Sequence, residues 1–537
     1  MRRGTVHAMA DFNWDFPYPS QRMPVLAANV VATSQPLAAE AGLRMLREGG
    51  NAADAAVAAA IALTVLEPTS NGIGSDAFAL IWAGGDLHGL NASGRSAQTL
   101  DPDQLLAKGS IAQLGWDGVT VPGAVSGWRE MSQRFGAMPF RKLFEPAIAY
   151  ASDGFLVAPQ TADAWRSGHE RYSDFQSFQQ TFCPSGRAPR AGERFASPDH
   201  AATLKRIAES DTDAFYNGEL AKAIADHARA TGGLITQRDL AAHQPEWVRP
   251  ISIDYRGWRL HEIPPNGQGL AALLMLGILR NLDLARHPVD SPQTLHLQIE
   301  AMKLAFADGH RYIADPQWMD VAVEELLDPG YLARRASLID PNRAGDPDYG
   351  TPKPGGTIYL ATADAEGNMV SYIQSNYTGF GSGIVIPGTG IALQNRGCCF
   401  SLDRGHPNQA GPGKRPYHTI IPGFVTRQDK PVMAFGVMGG FMQPQGHGQI
   451  IIRIADYGQN PQAALDAPRW RVDGGRRVSI EPGFDLQVRE QLQRMGHDVT
   501  VAGARTVQHG GGQAIYRLDD GYFGASDARR DGQAVGF

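Results

Sequence analysis

The sequence predicts a globular chain of mixed α/β class. Three observations carry this expectation: alanine- and leucine-rich stretches with helix caps early in the chain, paired β-branched stretches around Asp86 and Asp364, and a composition of 43% hydrophobic against 19% charged residues. That balance excludes a disordered polymer, and 537 residues are enough to bury a large core. In chain order, Ser34 and Pro36 predict an N-cap and first-turn pair ahead of LAAEAGLRMLREGGN, with Gly49 and Gly50 as the stop. Asn51 then caps AADAAVAAAIALTVL, with Asp54 in its first turn, so the two helices form an αα-hairpin. FALIWAGGDLHGLNAS reads as a β-hairpin turning at Gly84, Gly85 and Asp86. Leu297, Ala301, Leu304 and Ala305 share one helical face. From Asp340 to Gly356 the run DPNRAGDPDYGTPKPGG predicts a flexible, exposed connection. It ends at Thr357, where TIYLATA begins a strand, Asp364 to Asn368 makes a turn, and MVSYIQS returns as a second strand.

Charge and composition exclude several functions. The 49 Lys+Arg against 55 Asp+Glu give a net charge of −6, so neither nucleic acid nor an anionic membrane is expected as a partner. Three cysteines, Cys183, Cys398 and Cys399, are too few for a disulfide framework and read as reduced thiols. The N-terminus has two arginines but no apolar stretch behind them, and the apolar run Ala55 to Leu66 falls short of the ~18 residues a membrane span needs. The reading is a soluble, cytoplasmic protein.

The candidate chemistry centres on Thr357. A Thr hydroxyl is a weak nucleophile unless a base adjoins it. At a chain terminus its own α-amine, with an unperturbed pKa of ~7.7–8.0, can be that base. Cleavage of the Gly356–Thr357 bond by an N→O acyl shift would create such a terminus, and Gly355 and Gly356 allow the strained backbone this needs. The local pattern also fits an ordinary strand after a glycine turn. GFGSG (379–383) and VMGGFMQPQGHG (437–448) lack the phosphate-loop and dinucleotide signatures. Gly439 and Gly440 could instead offer two backbone N–H groups to an oxyanion, or simply form a tight turn. His406, His418 and His447 lack zinc-ligand spacing, so neither a metal nor an organic cofactor is expected.

Over essentially its whole length the chain resembles the γ-glutamyltranspeptidase family of N-terminal nucleophile hydrolases. The resemblance rests on QPLAAEAGLRMLREGGNAADAAVAAAIALTVLEP, SNGIGSDAF, NASGRSA, VTVPGAVSGW, IEAMKLAFADGHRYIADP, GGTIYLATADAEGN, FGSGIVIPGTGIALQNRG, PGKRPYHTIIP, GVMGG and GASDARRDGQAVG. It implies a four-layer αββα sandwich. It also implies autocleavage between Gly356 and Thr357 into a large subunit, 1–356, whose end from about 340 is linker, and a small subunit, 357–537. The subunits would stay together as a heterodimer, or as a dimer of such heterodimers. Thr357 would be the nucleophile, oriented by Ser375, with Gly439 and Gly440 as the oxyanion pair. Arg95 would clamp a substrate carboxylate, while His418 and Thr419 stand where the family has two serines.

Two departures bear on the substrate. Cys399, just before Phe400, occupies the place of the aspartate that holds a γ-glutamyl α-ammonium, and Tyr377 replaces an asparagine of the same subsite. A thiol cannot supply the missing charge, and Arg396 close by would repel an amine and attract a carboxylate. The expected activity is therefore hydrolysis or transfer of an anionic acyl group from a small amide, oxamate- or glutaryl-like. The alternatives are a true γ-glutamyltransferase with a rearranged amine subsite, or an unprocessed binding protein.

Overall fold

The computed structural model describes residues 17–19, 22–347, 356–503 and 507–537. Two seven-stranded sheets lie face to face. The first runs Gln533–Gly536, Val30–Thr33, Gly356–Ala363, Met369–Tyr377, Asp76–Ala83, Asp86–Ala92 and Glu246–Val248; the second runs Val25–Ala27, Tyr522–Ser526, Gly511–Arg517, Lys430–Met438, Gly423–Arg427, Trp258–Glu262 and Ile251–Tyr255. Every neighbouring pair in these two sheets is antiparallel.

The period-two pattern of the strand Gly356–Ala363 dictates the layering. Tyr359, Ala361 and Ala363 enter the core between the sheets, with Phe78, Phe424, Ala434 and Ile515. Ile358 and Leu360 point the other way, into a core shared with the helix Ala52–Leu66. The larger of these buried side chains, Ile358, Leu360, Phe78, Phe424 and Ile515, contribute roughly 1.5–3 kcal/mol each. The second sheet likewise sends Leu260, Val425, Phe435 and Val437 outward to helices Gly269–Leu279, Pro292–Tyr312 and Met442–Ala455. The result is helix, sheet, sheet, helix, the αββα order implied by the resemblance.

The helical hairpin forms as read from the sequence, with one shift. Gln35 rather than Ser34 caps Pro36–Arg47, because the Gln35 side chain accepts from the Ala38 N–H while the Ser34 hydroxyl is committed to Glu67. Asn51 and Asp54 make a full capping box for Ala52–Leu66, every residue of which is buried. The hairpin of Asp76–Ala83 and Asp86–Ala92 turns where expected. Among the described residues no helix is long and apolar enough to cross a membrane.

The connection after Asp340 is exposed at 340–343 and 346, and hydrogen bonds hold it at points. His296 donates to the Asp340 carbonyl (2.8 Å), Lys303 to the Gly345 carbonyl (3.0 Å), and the Gly345 N–H donates to Glu300 (2.8 Å). The Ala344 N–H also donates to the Met495 carbonyl. These polar partners all come from buried groups on one helix or from the 486–495 helix end, a tertiary feature that composition does not report. Positions 348–355, the rest of that expected linker, lie outside the described residues.

Candidate active site

Thr357 is the second residue of a central strand, held by Val30–Thr33 on one side and Met369–Tyr377 on the other. Its parity turns it into the gap between the sheets. The register slips here, with Gly356 opposite Tyr377 but Ile358 opposite Gln374, so Thr357 faces a bulge containing Ser375 and Asn376. Tyr377 closes the bulge at φ 75°, a left-handed conformation that costs a non-glycine residue about 1–2 kcal/mol. The Thr357 hydroxyl, almost wholly buried, donates to the Ser375 hydroxyl oxygen (3.2 Å), which also accepts the Tyr377 N–H (2.8 Å).

Gly439 and Gly440 form the turn between strand Lys430–Met438 and helix Met442–Ala455, at φ 122° and 63°. A Cβ on Gly439 would stand 3.2 Å from both Gly510 Cα and Met442 Cβ, so glycine is needed for space as well as for φ. The turn carbonyls are committed: Gly439 O accepts from the Met442 N–H, and Gly440 O from the Gln443 N–H and from Gln268 Nε2. Its N–H side lies at the positive end of a 14-residue helix. Gln268 also donates to the Thr419 carbonyl, tying this turn to the segment His418–Thr419.

Arg396 is fully buried. Its Nη1 donates to Thr419 Oγ1 (2.6 Å), and its guanidinium lies 4.6 Å from the centre of the Tyr377 ring. Nε and Nη2 have no hydrogen-bond partner among the described residues. The Tyr377 hydroxyl bonds to the Cys399 sulfur; burial, reinforced by that sulfur, pushes its pKa well up. His418 donates through Nε2 to Asp76 Oδ2 (3.1 Å). Burial, and then the charges of Arg396 and Arg415, hold His418 far below its ordinary pKa, so the contact is a neutral hydrogen bond rather than an ion pair. Asp76 is raised to about 6 by burial, against the pull of Arg396. Its oxygens are saturated: Oδ1 accepts the Gly94 and Gly123 N–H groups, and the Gln394 side chain and His418 add two further bonds.

Thus Thr357, Ser375, Gly439, Gly440, Arg396, Tyr377, Cys399, His418 and Thr419 converge. Arg95 stands beside this group. Its guanidinium is engaged by Asp315 (2.8 Å), the Gly413 carbonyl (3.2 Å) and Glu246 (3.5 Å). Sequence reasoning passed over Asp76, Gln268 and Gln443. Asp76 carried a legible signal, an acid opening an apolar strand; Gln268 and Gln443 carried none. Two surface cavities lie elsewhere. One, of about 620 Å³, is lined by Arg427, Lys430 and Arg517, one strand length (~27 Å) from Gly439; the other, of about 510 Å³, is lined by Asp346, Arg476 and His497.

Among the described residues, His296, Glu300 and His497 are spaced for a metal ion. The hydrogen-bond order there opposes one. His296 Nε2 donates to the Asp340 carbonyl, so its Nδ1 accepts from His497 Nε2 (2.8 Å), while His497 Nδ1 faces the Lys303 ammonium (3.4 Å). Freeing His497 Nε2 for a metal would turn an N–H toward that ammonium.

A threonine between two sheets, beside a hydroxyl partner and a glycine turn at a helix N-terminus, defines the site of an N-terminal nucleophile hydrolase. Residues 38–537 match the family described as gamma-glutamyltranspeptidase, and the chain belongs to that family as one of its enzymes. It is 38% identical over 519 residues to the glutathione hydrolase-like YwrD proenzyme of Bacillus subtilis, covering 94% of this chain and 98% of that one. It is 37% identical to the oxamate amidohydrolase proenzyme of Klebsiella pneumoniae, covering 93% and 97%. The crystal structure of a cephalosporin acylase from Bacillus halodurans superposes with a TM-score of 0.93 at 51% identity, covering 98% of this chain and 99% of that one.

Proposed function

We propose that this chain is an autoprocessing amide hydrolase that works through an acyl-threonine, and that its preferred acyl group carries a carboxylate where a γ-glutamyl group carries its α-amine. In processing, Thr357 Oγ attacks the Gly356 carbonyl, its hydroxyl proton passes to the leaving nitrogen as the C–N bond breaks, and water hydrolyses the resulting ester. This yields 1–356 and 357–537 as a heterodimer and frees the Thr357 α-amine. In turnover that amine takes the hydroxyl proton, Oγ attacks the substrate amide, and the Gly439 and Gly440 N–H groups stabilise the oxyanion, each worth about 3 kcal/mol in such sites. The amine product leaves with a proton, and water, or an amine acceptor, takes the acyl group from Oγ.

The observation that carries this reading is the buried Thr357 hydroxyl at 3.2 Å from Ser375 Oγ in a chain of this family. The acyl preference rests on Arg396, whose two unmatched donors suit a carboxylate oxygen pair. Asp76, the carboxylate whose charge Arg396 favours, has no acceptor capacity left for an ammonium. Relatives named for oxamate and for cephalosporin agree with an acyl group other than glutamyl. Arg95 is paired with Asp315 and Glu246, so it would take a substrate carboxylate only by exchanging one of those partners.

The intact mass of the denatured protein tests processing. Two fragments meeting at Gly356–Thr357, with Thr357→Ala left whole, are expected; a single 57.8 kDa chain in both samples would refute it. Comparable kcat/KM for glutathione and for oxamate or glutaryl amides would refute the acyl preference.

A further inference from the structure

We infer that Gln443 is a further catalytic residue: a fixed, non-ionisable hydrogen-bond donor to the nucleophile oxygen. Gln443 lies in the first turn of helix Met442–Ala455, three residues past Gly440, and is fully buried. Its Nε2 stands 3.5 Å from Thr357 Oγ1. An amide side chain can usually be turned end for end, but here the orientation is determined. Oε1 accepts the Ile421 N–H at 2.9 Å, which leaves Nε2 as the end that meets Thr357. The contact is long in the uncleaved chain, and catalytic hydrogen bonds of this kind tighten as charge develops.

The chemistry follows from what each neighbour of Oγ1 can do. The Thr357 hydroxyl donates to Ser375, whose oxygen already accepts the Tyr377 N–H. Gln443 occupies one Oγ1 lone pair with an N–H and cannot take up a proton near neutral pH. It therefore steers the hydroxyl hydrogen toward Ser375 and leaves the other lone pair for the carbonyl carbon. During attack the C–Oγ bond forms, the hydroxyl proton passes to the base, and Gln443 transfers nothing. During deacylation water adds to the acyl carbon, the C–Oγ bond breaks and Oγ leaves with the electron pair. The Gln443 N–H stabilises that developing alkoxide until the proton returns. Gln443 also sits on the helix whose N-terminal turn is Gly439–Gly440, so nucleophile and oxyanion donors share one rigid support.

The inference rests on the reading of Thr357 as nucleophile, and its test separates the two. Wild type, Thr357→Ala, Gln443→Met and Gln443→Glu are compared for cleavage at 356–357 and for steady-state hydrolysis of an oxamate or glutaryl amide. Failure of wild type itself to cleave would sink the nucleophile reading. If wild type cleaves, Gln443→Met is expected to lower the cleavage rate and kcat by roughly 10- to 100-fold with KM within about threefold. Equal rates in Gln443→Met and wild type would overturn the Gln443 assignment alone.

Gln443→Glu keeps the acceptor for Ile421 and guards against a folding defect. Its carboxyl can donate to Oγ1 only when protonated, so its kcat relative to wild type should rise several-fold between pH 8 and pH 5. A flat ratio across that range would mean Gln443 acts only as packing, and would equally overturn the assignment.

Discussion

Arg396 offers a perturbation whose effects on activity and stability should take opposite signs. In Arg396→Met the side chain keeps much of its bulk and loses the buried guanidinium. A substrate carboxylate that receives charge-assisted hydrogen bonds from Nε and Nη2 gains about 1.5–3 kcal/mol from each. Losing both costs about 3–6 kcal/mol, a fall of roughly 10²- to 10⁴-fold in kcat/KM for an oxamate or glutaryl amide. A neutral acyl amide of equal length should lose less than about threefold. The free enzyme holds those two donors buried and unmatched, at about 1–3 kcal/mol each. Met removes that burden, while the bond to Thr419 is lost at about 1 kcal/mol and the Tyr377 ring contact at about 0.5–2 kcal/mol. Stability should therefore hold or rise by about 1–2 kcal/mol. Parallel kinetics on the two amides, and urea unfolding of the uncleaved Thr357→Ala chain with and without Arg396→Met, make the assay. An equal loss on both substrates, or a destabilisation above about 2 kcal/mol, would show Arg396 to be a structural prop and refute the reasoning.

Two other outcomes follow from the same site and its surroundings. Cys399→Asp places a carboxylate beside Arg396 and Tyr377, so kcat/KM should rise for a γ-glutamyl amide and fall for an anionic acyl amide; an unmoved γ-glutamyl value would refute the role given to Cys399. The protein should also lose stability in acid. Burial depresses His200, His261 and His310 to about 4 and, with neighbouring cations at His243 and His497, holds those two and His447 at about 3. Below the unfolded pKa of about 6.5 the unfolded chain takes up protons that these rings refuse, which removes up to about 2 kcal/mol per ring by pH 5. Glu67, raised to about 7, and Asp76, raised to about 6, oppose this, since their native forms bind protons more tightly as pH falls. Among the described residues eleven lowered rings, His418 and His509 included, stand against six raised carboxyls, Asp54, Glu262, Asp308 and Asp456 joining Glu67 and Asp76, so a urea midpoint higher at pH 5 than at pH 7.5 would contradict a net loss.

What the sequence reveals and conceals here has a physical reason. Caps, turns and period-two strands are local, and Asn51, Asp54, Gly84 and Thr357 take their expected places because three or four neighbouring residues determine them. The long ordered matches to one family then supplied the layer order, which no local pattern encodes. Pairings between distant segments remained hidden. Nothing in SNGIGSDAF says that Asp76 will meet His418 across 342 positions. The QPQ stretch reads only as part of a glycine-rich run, and the first turn of the helix that forms there brings Gln443 to Thr357. The anchors of the connection after Asp340 are hidden for the same reason, since His296, Glu300 and Lys303 lie more than 40 residues upstream.

The interleaving of the strands has a consequence for the history of the molecule. Each sheet draws strands from both sides of residue 356: Val30–Thr33 lies against Gly356–Ala363 in one, and Gly423–Arg427 against Trp258–Glu262 in the other. A cut before Thr357 would detach only Gly356, paired with Tyr377, from its strand and leave every pairing from Ile358 onward in place, so the severed halves would stay woven together. The path back would nevertheless be lost. The intact precursor folds as one tethered chain at a rate independent of concentration, whereas the processed pieces, once denatured, would have to find each other in dilute solution and thread two sheets at once. Cleavage there would thus act as a ratchet: it would leave the folded form in place while erasing the unimolecular route by which that form was reached, and make its persistence a matter of unfolding rate rather than equilibrium.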